Sequence, residues 1–281
     1  MVKSTDSSGS FYESVVETET FSEDAYSGTF VATTHTASPW SKKHQHAGPA
    51  CALLVRALEQ LAIPTPDAIT NRIAVDILDP IPLGAIAVTA QVVQEGHFAS
   101  LVEAELFRAG YPDPIMRVSA WRTRRVPLAA EVADGGRAEV PPTGSKTKPP
   151  STWVKGYGRA MRWRAATGTL GGHGRTTVWA KPKVNLVDGE AATGMALVAL
   201  VAGATSTLSS LTDPDESVFV STDLSLHALR EPAGKALWIT AESFVDADGV
   251  GVATSTIGDS LGSLAVGNQA LFLAERSEIR F

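Results

Sequence analysis

The sequence predicts an α+β protein in which one unit occurs twice, each copy a bent antiparallel sheet wrapped around a central helix. Three observations lead there. The chain has 281 residues, about twice the usual single-domain length, and its 44% hydrophobic content is enough for each half to bury a core of its own. A stretch rich in Pro, Gly, Lys and Ser, Ala130 to Ser151, has no apolar periodicity and divides the chain near its middle. Each half also holds one helix that is apolar almost all round, and such a helix has to be enclosed by other structure.

The elements follow from apolar pattern and turn chemistry. In the first half Tyr26 to His35 reads as a strand and Pro49 to Leu61 as a helix. Asn71 to Leu78, Ala85 to Gln94, Ala99 to Phe107 and Ile115 to Arg125 read as four strands separated by turns with Pro or Gly. The second half offers strands over Gly158 to Ala165 and Thr176 to Ala180, then the helix Gly194 to Ala202. Strands follow over Val218 to Leu229, Ala236 to Val245, Gly251 to Ile257 and Val266 to Ala274. The order is the same on both sides: one or two strands, a helix, four strands. The closest internal match sets the segment from Val75 against that from Leu226, each a strand ending at an acid before Pro80 or Pro232. A repeat this long indicates duplication of a domain rather than a solenoid array.

The helices decide the architecture. On the first, only Arg56, Glu59 and Gln60 are polar after Cys51, which leaves one narrow wet stripe. The second has no polar residue from Met195 to Ala202. A strongly bent sheet of about five strands encloses such a helix, and that shape, made twice, is a double hotdog. The expected organisation is an N-terminal unit over residues 1–129, a linker over 130–151 and a C-terminal unit over 152–281, packed sheet against sheet about a pseudo-twofold axis.

Composition narrows the function. A formal charge of −6 argues against a nucleic-acid surface, which carries an excess of Lys and Arg on one face. No apolar run approaches the roughly 20 residues of a membrane-spanning helix, so a cytoplasmic protein without a membrane span is expected. A single cysteine, Cys51, forms no internal disulfide, and the clustered ligands of a structural metal are absent, so neither metal nor cofactor is expected. Cys51 reads as a small core residue. The run GTLGGHG at 168–174 is a loop without the strand-turn-helix setting of a nucleotide site. Arg122, Arg124 and Arg125 are either solvated charges at a strand end or a place for phosphates.

Five segments carry a family resemblance: HQHAGPACALLVRALEQL (44–61), NRIAVDILDPIPLG (71–84), SAWRTRR (119–125), DLSLHALREP (223–232) and DGVGVATSTIGD (248–259). In this order they are similar to the acyl-CoA thioesterase II and thioesterase-like superfamily, in particular to its actinobacterial double-hotdog branch. The resemblance implies an acyl-CoA or related thioester as partner, and a homo-oligomer. It also implies a site in which an Asp near the end of the second helix, a Ser or Thr at the start of the next strand and a Gln on a later strand orient and activate a water. Carried over, the hydroxyl falls on Ser221, the Asp at or beside Ala202 or Gly203, and the Gln on Gly258. Ala and Gly can neither polarise a water nor accept its proton. Two readings stay open: hydrolysis with a different residue set, or a non-catalytic acyl-CoA or lipid-binding protein that keeps the groove. A hotdog hydratase is disfavoured, because no D-x-x-P-x-H-type run occurs.

The residues themselves suggest where a thioester would sit. The N-terminus of a buried helix offers unpaired N–H groups to a carbonyl oxygen, and Gly48 lets the backbone approach a ligand there. His46 stands beside it. The second helix follows Gly189 and Glu190, whose carboxylate competes for the same kind of donors, so the first helix is the better anion-stabilising end. Asp76 and His227 occupy similar places in the two halves, each an ionisable group among apolar neighbours on a strand. Strand parity puts His227 on one face with Ser225, Asp223 and Ser221. The expected site is therefore Asp76, His46 and Ser221 for catalysis, with Gly48, Asp223 and His227 contacting substrate.

Overall fold

The computed structural model describes residues 9–15, 18–22, 24–128, 138–147, 150–211 and 217–275. The first half runs β1 (Ser10–Ser14), β2 (Thr20–Phe21), β3 (Ala25–Ala32), α1 (Ala47–Glu59), β4 (Ala68–Ile77), β5 (Gly84–Gln94), β6 (Ala99–Arg108) and β7 (Pro114–Arg124). The second opens with β8 (Ser145–Lys146), α2 (Gly156–Ala160), β9 (Met161–Thr167), β10 (Thr176–Pro182) and β11 (Asn185–Val187). It continues with α3 (Gly194–Ala202), α4 (Thr205–Leu208), β12 (Ser217–Ser221), β13 (Asp223–Ala228), β14 (Leu237–Val245), β15 (Val250–Asp259) and β16 (Gly262–Glu275).

Period-two alternation makes the strands. In β6 Ser100, Val102, Ala104 and Leu106 turn inward while Glu103 and Glu105 lie on the other face. In β3 every second residue is buried. The helices are enclosed as their composition demands: α1 is buried from Gly48 to Leu58 and α3 from Met195 to Ala202. Even Arg56 is buried, and it ion-pairs with Glu19 at 3.3 Å and Glu190 at 2.8 Å, so its charge is not left alone in the core.

All strands join one sheet in the order β11-β1-β3-β5-β6-β7-β4-β13-β16-β15-β14-β10-β9-β8, with β2 beside β3 and β12 beside β16. The two halves meet edge to edge rather than sheet against sheet. Their seam is the antiparallel pair β4–β13, centred on Ala74 opposite Ser225. Inside, α1 and α3 pack on each other in opposite directions. A Cβ on Gly203 would lie 2.4 Å from Gly48 Cα, and one on Gly48 would lie 2.7 Å from the Leu200 carbonyl oxygen. The start of α1 and the end of α3 thus touch backbone to backbone, a contact that only glycine permits. The far edges are also tied. β10 and β11 stand near opposite ends of the sheet order with only Lys183 and Val184 between them, and β11 pairs in parallel with β1.

Three expected elements differ. Gly158 to Ala165 is not one strand. Gly156, at φ 56°, starts the short helix α2, whose buried Tyr157 and Ala160 face the core before β9 begins. Val218 to Leu229 is broken at Thr222 into β12 and β13. Of the segment read as a linker, 130–137 and 148–149 lie outside the described residues. Residues 138–147 lie along the second half, where Pro142 O accepts from Trp179 Nε1 at 3.0 Å and β8 pairs with β9.

Candidate functional site

The entry to α1 is built around His46. Its extended backbone makes it the N-cap, and its Nδ1 accepts the Gly48 N–H at 3.1 Å, satisfying one of the orphan donors of the first turn. The ring proton of the neutral imidazole therefore sits on Nε2, which points at Thr207 Oγ1 from 3.5 Å. The ring stacks on Tyr157, centroids 4.2 Å apart, and Tyr157 in turn donates to Leu200 O at 2.7 Å. Burial pushes the His46 pKa down to about 3, because a buried imidazolium loses its hydration. At neutral pH His46 is a fixed donor through Nε2.

A cavity of about 350 Å³ opens beside this cap. The first half contributes Trp40, Gln45, His46 and the β4–β5 turn. The second contributes Gly203, Ser206, Thr207, Phe219, Ser221 and Gln269. Gln45 holds one wall together: its N–H donates to Ile81 O at 2.7 Å and its Nε2 to Pro82 O at 2.8 Å, while Oε1 accepts from Tyr12 at 2.6 Å. On the opposite wall Gln269, 2% exposed, accepts the Ser206 N–H on Oε1 at 3.0 Å. That contact fixes the amide orientation. Its Nε2 donates to Ser221 Oγ at 3.0 Å, and Ser221 donates onward to Asp223 O at 2.7 Å. The second Nε2 hydrogen of Gln269 has no part in that chain. Asp79, exposed in the β4–β5 turn, is the only carboxylate lining the cavity among the described residues.

Of the residues expected at the site, the structure brings together Ser221 and His46. Ser221 lines the cavity because of the break at Thr222. β12 sets Ser221 opposite Leu271 of β16, and β13 sets Ser225 opposite Asn268, so four steps on one side stand against three on the other. This bulge reverses the inside and outside positions, and Ser221 does not share a face with Asp223, Ser225 and His227. His227 is exposed opposite Arg72, and Asp223 accepts the Ala270 N–H at 2.6 Å on the outer side. Asp76 is exposed and faces Asp223 across the seam. Gly48 does not line the cavity: its N–H is taken by His46 and its Cα by Gly203. Asp76, Gly48, Asp223 and His227 therefore do not line this cavity.

The positions carried over for the acid and the amide are tightly packed. Gly203 lines the cavity but has no room for a side chain, and Ala202 is buried. Gly258 packs under Trp238, whose ring atom Cζ2 would be 2.2 Å from an added Cβ, and it does not line the cavity. A later-strand Gln that does line the cavity is Gln269. Its signal lay in the alternation of β16, where Gly267, Gln269 and Leu271 are the inward positions and an amide among them stands out.

The opposite helix entry is closed. Glu59, from the last turn of α1, accepts the Met195 N–H at 3.4 Å at the start of α3. Burial, only partly offset by that bond, pushes its pKa up to about 7. Glu190, expected there, is bound to Arg56 instead. Of the three arginines, Arg122 donates to Leu61 O at the end of α1 (2.8 Å), Arg124 contacts His97 and Arg125 pairs with Asp67. Cys51 is buried, and the lost hydration pushes its thiol up to about 12. Among the described residues no three His, Cys, Asp or Glu side chains group as metal ligands, and no helix is long and apolar enough to cross a membrane.

Comparison with known proteins accords with this architecture. Residues 36–123 match the acyl-CoA thioesterase N-terminal domain and residues 137–273 the acyl-CoA thioesterase C-terminal domain. No curated protein matches the chain. Among solved structures, a protein with a hot dog fold from Alicyclobacillus acidocaldarius is 13% identical with a TM-score of 0.68, over 91% of this chain and 95% of that one. The tesB protein of Mycobacterium avium subspecies paratuberculosis is 15% identical with a TM-score of 0.64, over 92% and 96%. The acyl-CoA thioesterase II TesB2 of Mycobacterium marinum is 12% identical with a TM-score of 0.63, over 95% and 98%. At these identities the likeness is one of fold, and it covers both halves. The two matched domains, in the expected order along one chain, mean that the protein belongs to the acyl-CoA thioesterase family.

Proposed function

We propose that the cavity at the entry to α1 hydrolyses acyl-CoA thioesters by direct addition of water. The observation that carries this reading is the chain Ser206 N–H, Gln269, Ser221, which holds an amide and a hydroxyl rigidly in a cavity shared by both halves. The free Nε2 hydrogen of Gln269 and the Nε2–H of His46 are donors for the thioester carbonyl oxygen, where charge develops. Ser221 Oγ positions the water. As the water oxygen bonds to the carbonyl carbon, its proton passes to the Asp79 carboxylate. The tetrahedral adduct then expels the thiolate, which takes up that proton, leaving a carboxylic acid and free coenzyme A.

Asp79 takes the role that no side chain at Gly203 can fill. The test is thiol release from short, medium and aromatic acyl-CoAs. Asp79→Asn is expected to lower kcat by about 10²- to 10⁴-fold, the usual range for a general base. Asp76→Asn, on the outer face, leaves it unchanged. Saturable acyl-CoA binding with no turnover by the wild type would overturn hydrolysis and favour a binding protein. A cytoplasmic location and self-association belong to the same reading. Sedimentation showing only a 29.5 kDa species would count against the second.

A further inference from the structure

A second, larger hollow of about 680 Å³ adjoins the cavity. Ser38, Trp40 and Ser41 line both, so the two share one wall, and Trp40 is part of it. The outer hollow is basic. Lys42, Lys155 and Arg159 line it, all three are exposed, and none of its lining residues is acidic. Among the described residues none of the three has an ion-pair partner, in a chain with 30 acidic residues against 24 Lys and Arg. A random patch of this surface would lean the other way.

The three charges come from both halves and are held to one place. The Tyr157 N–H donates to Ala37 O at 3.1 Å, joining α2 to the loop that carries Ser38 to Lys42. Gly156 is needed there: an added Cβ would lie 2.1 Å from Ala37 O. Lys183 donates to Arg159 O, and its pKa is lowered by burial and then by the charges of Arg162 and Arg159, so the positive field extends beneath the hollow. Uncompensated Lys and Arg in a recess suit phosphate, Arg through its planar fork and Lys as a point charge. The carrier of an acyl-CoA ends in a nucleotide bearing a pyrophosphate and a 3′-phosphate.

We infer that the hollow lined by Lys42, Lys155 and Arg159 binds the phosphorylated nucleotide end of coenzyme A, while the pantetheine arm passes Trp40 into the cavity. This rests on reading the inner cavity as the thioester site. Arg122, Arg124 and Arg125, the basic group at the end of β7, are engaged elsewhere.

The test uses calorimetric binding of coenzyme A and of adenosine 3′,5′-bisphosphate to the full chain. The Lys155→Glu/Arg159→Glu double variant is expected to weaken both by about tenfold or more, since two charge-assisted contacts are reversed. The decline of affinity with salt becomes shallower. Lys42→Glu, on the other half, weakens both in the same direction and serves if the double variant folds poorly. Hydrolysis of an acyl-pantetheine, which lacks the nucleotide, stays within about twofold of wild type, whereas KM for the acyl-CoA rises. Unchanged coenzyme A affinity in both variants would overturn the assignment, as would equal losses for acyl-CoA and acyl-pantetheine. Failure of the hydrolysis proposal reads differently: no thioester turns over, yet the nucleotide still binds wild type and not the variants.

Discussion

Gln269 Nε2 lies 3.0 Å from Ser221 Oγ, and the contact exists because β12 and β13 meet β16 one residue out of step. Without the extra residue Ser221 would point to the outer face with Asp223, away from Gln269. The bulge is thus the local feature that turns a strand hydroxyl towards the cavity.

Gln269→Ala is expected to lower kcat by about 10²-fold or more, the usual cost of removing one donor to a developing oxyanion. It also strands the buried Ser206 N–H, at about 1–3 kcal/mol of stability. Ser221→Ala keeps the amide and lowers kcat with a smaller change in melting temperature. Turnover and thermal melts on both variants check this, and wild-type kcat in Gln269→Ala would remove the amide from the mechanism.

Restoring an acid at the helix end is expected to fail. In Gly203→Asp the new Cβ meets the backbone of Gly48 at 2.4 Å, and backbone cannot swing aside as a side chain can. The cost is about 3 kcal/mol or more, with the α1–α3 contact forced apart. A lower melting temperature and no gain in thioester hydrolysis are the expected readings. A variant that melts like wild type and hydrolyses faster would show that the helices yield.

Glu59 makes stability depend on pH in a stated direction. Its folded pKa is about 7 against an ordinary 4.5, so the ionised form is less favourable folded than unfolded. The stability it permits is fully present below about pH 4.5, falls as pH rises towards 7, and stays lost above that. Glu59→Gln cannot ionise and keeps an oxygen for the Met195 N–H. Its melting temperature should rise relative to wild type between pH 5 and pH 8, by the equivalent of on the order of 1 kcal/mol. A difference that does not vary with pH over that window would place the Glu59 pKa near its ordinary value.

The fold was legible because it rests on patterns that composition cannot hide. The helix Gly194 to Ala202 coincides with α3, and the alternation in β5, β6 and β7 leaves little choice of face. The site was less legible, since it depends on single-residue offsets. Parity carried from Ser221 to His227 assumes an unbroken strand, and one extra residue at Thr222 reverses it. Asp76 and Asp79 are three positions apart in NRIAVDILDPIPLG, yet only the second, past the strand end, reaches the cavity. His46 lies at the entry to α1 and lines the cavity. Its role as a cap follows from the Nδ1–Gly48 bond, which no spacing rule reveals.

The parallel pair β1–β11 sets a timetable for the ribosome. Tyr12 stands beside Val187, 175 positions later in the chain. At ordinary translation speeds of about 5–20 residues per second, β1 waits roughly 10–35 s for its neighbour. Through that interval β4 also lacks β13, so the nascent first half presents an open strand edge at each side, the kind of template on which chains pair wrongly. The protein is thereby committed to synthesising well into its second half before either edge is sealed, and an N-terminal fragment ending after β7 should be prone to aggregate on its own.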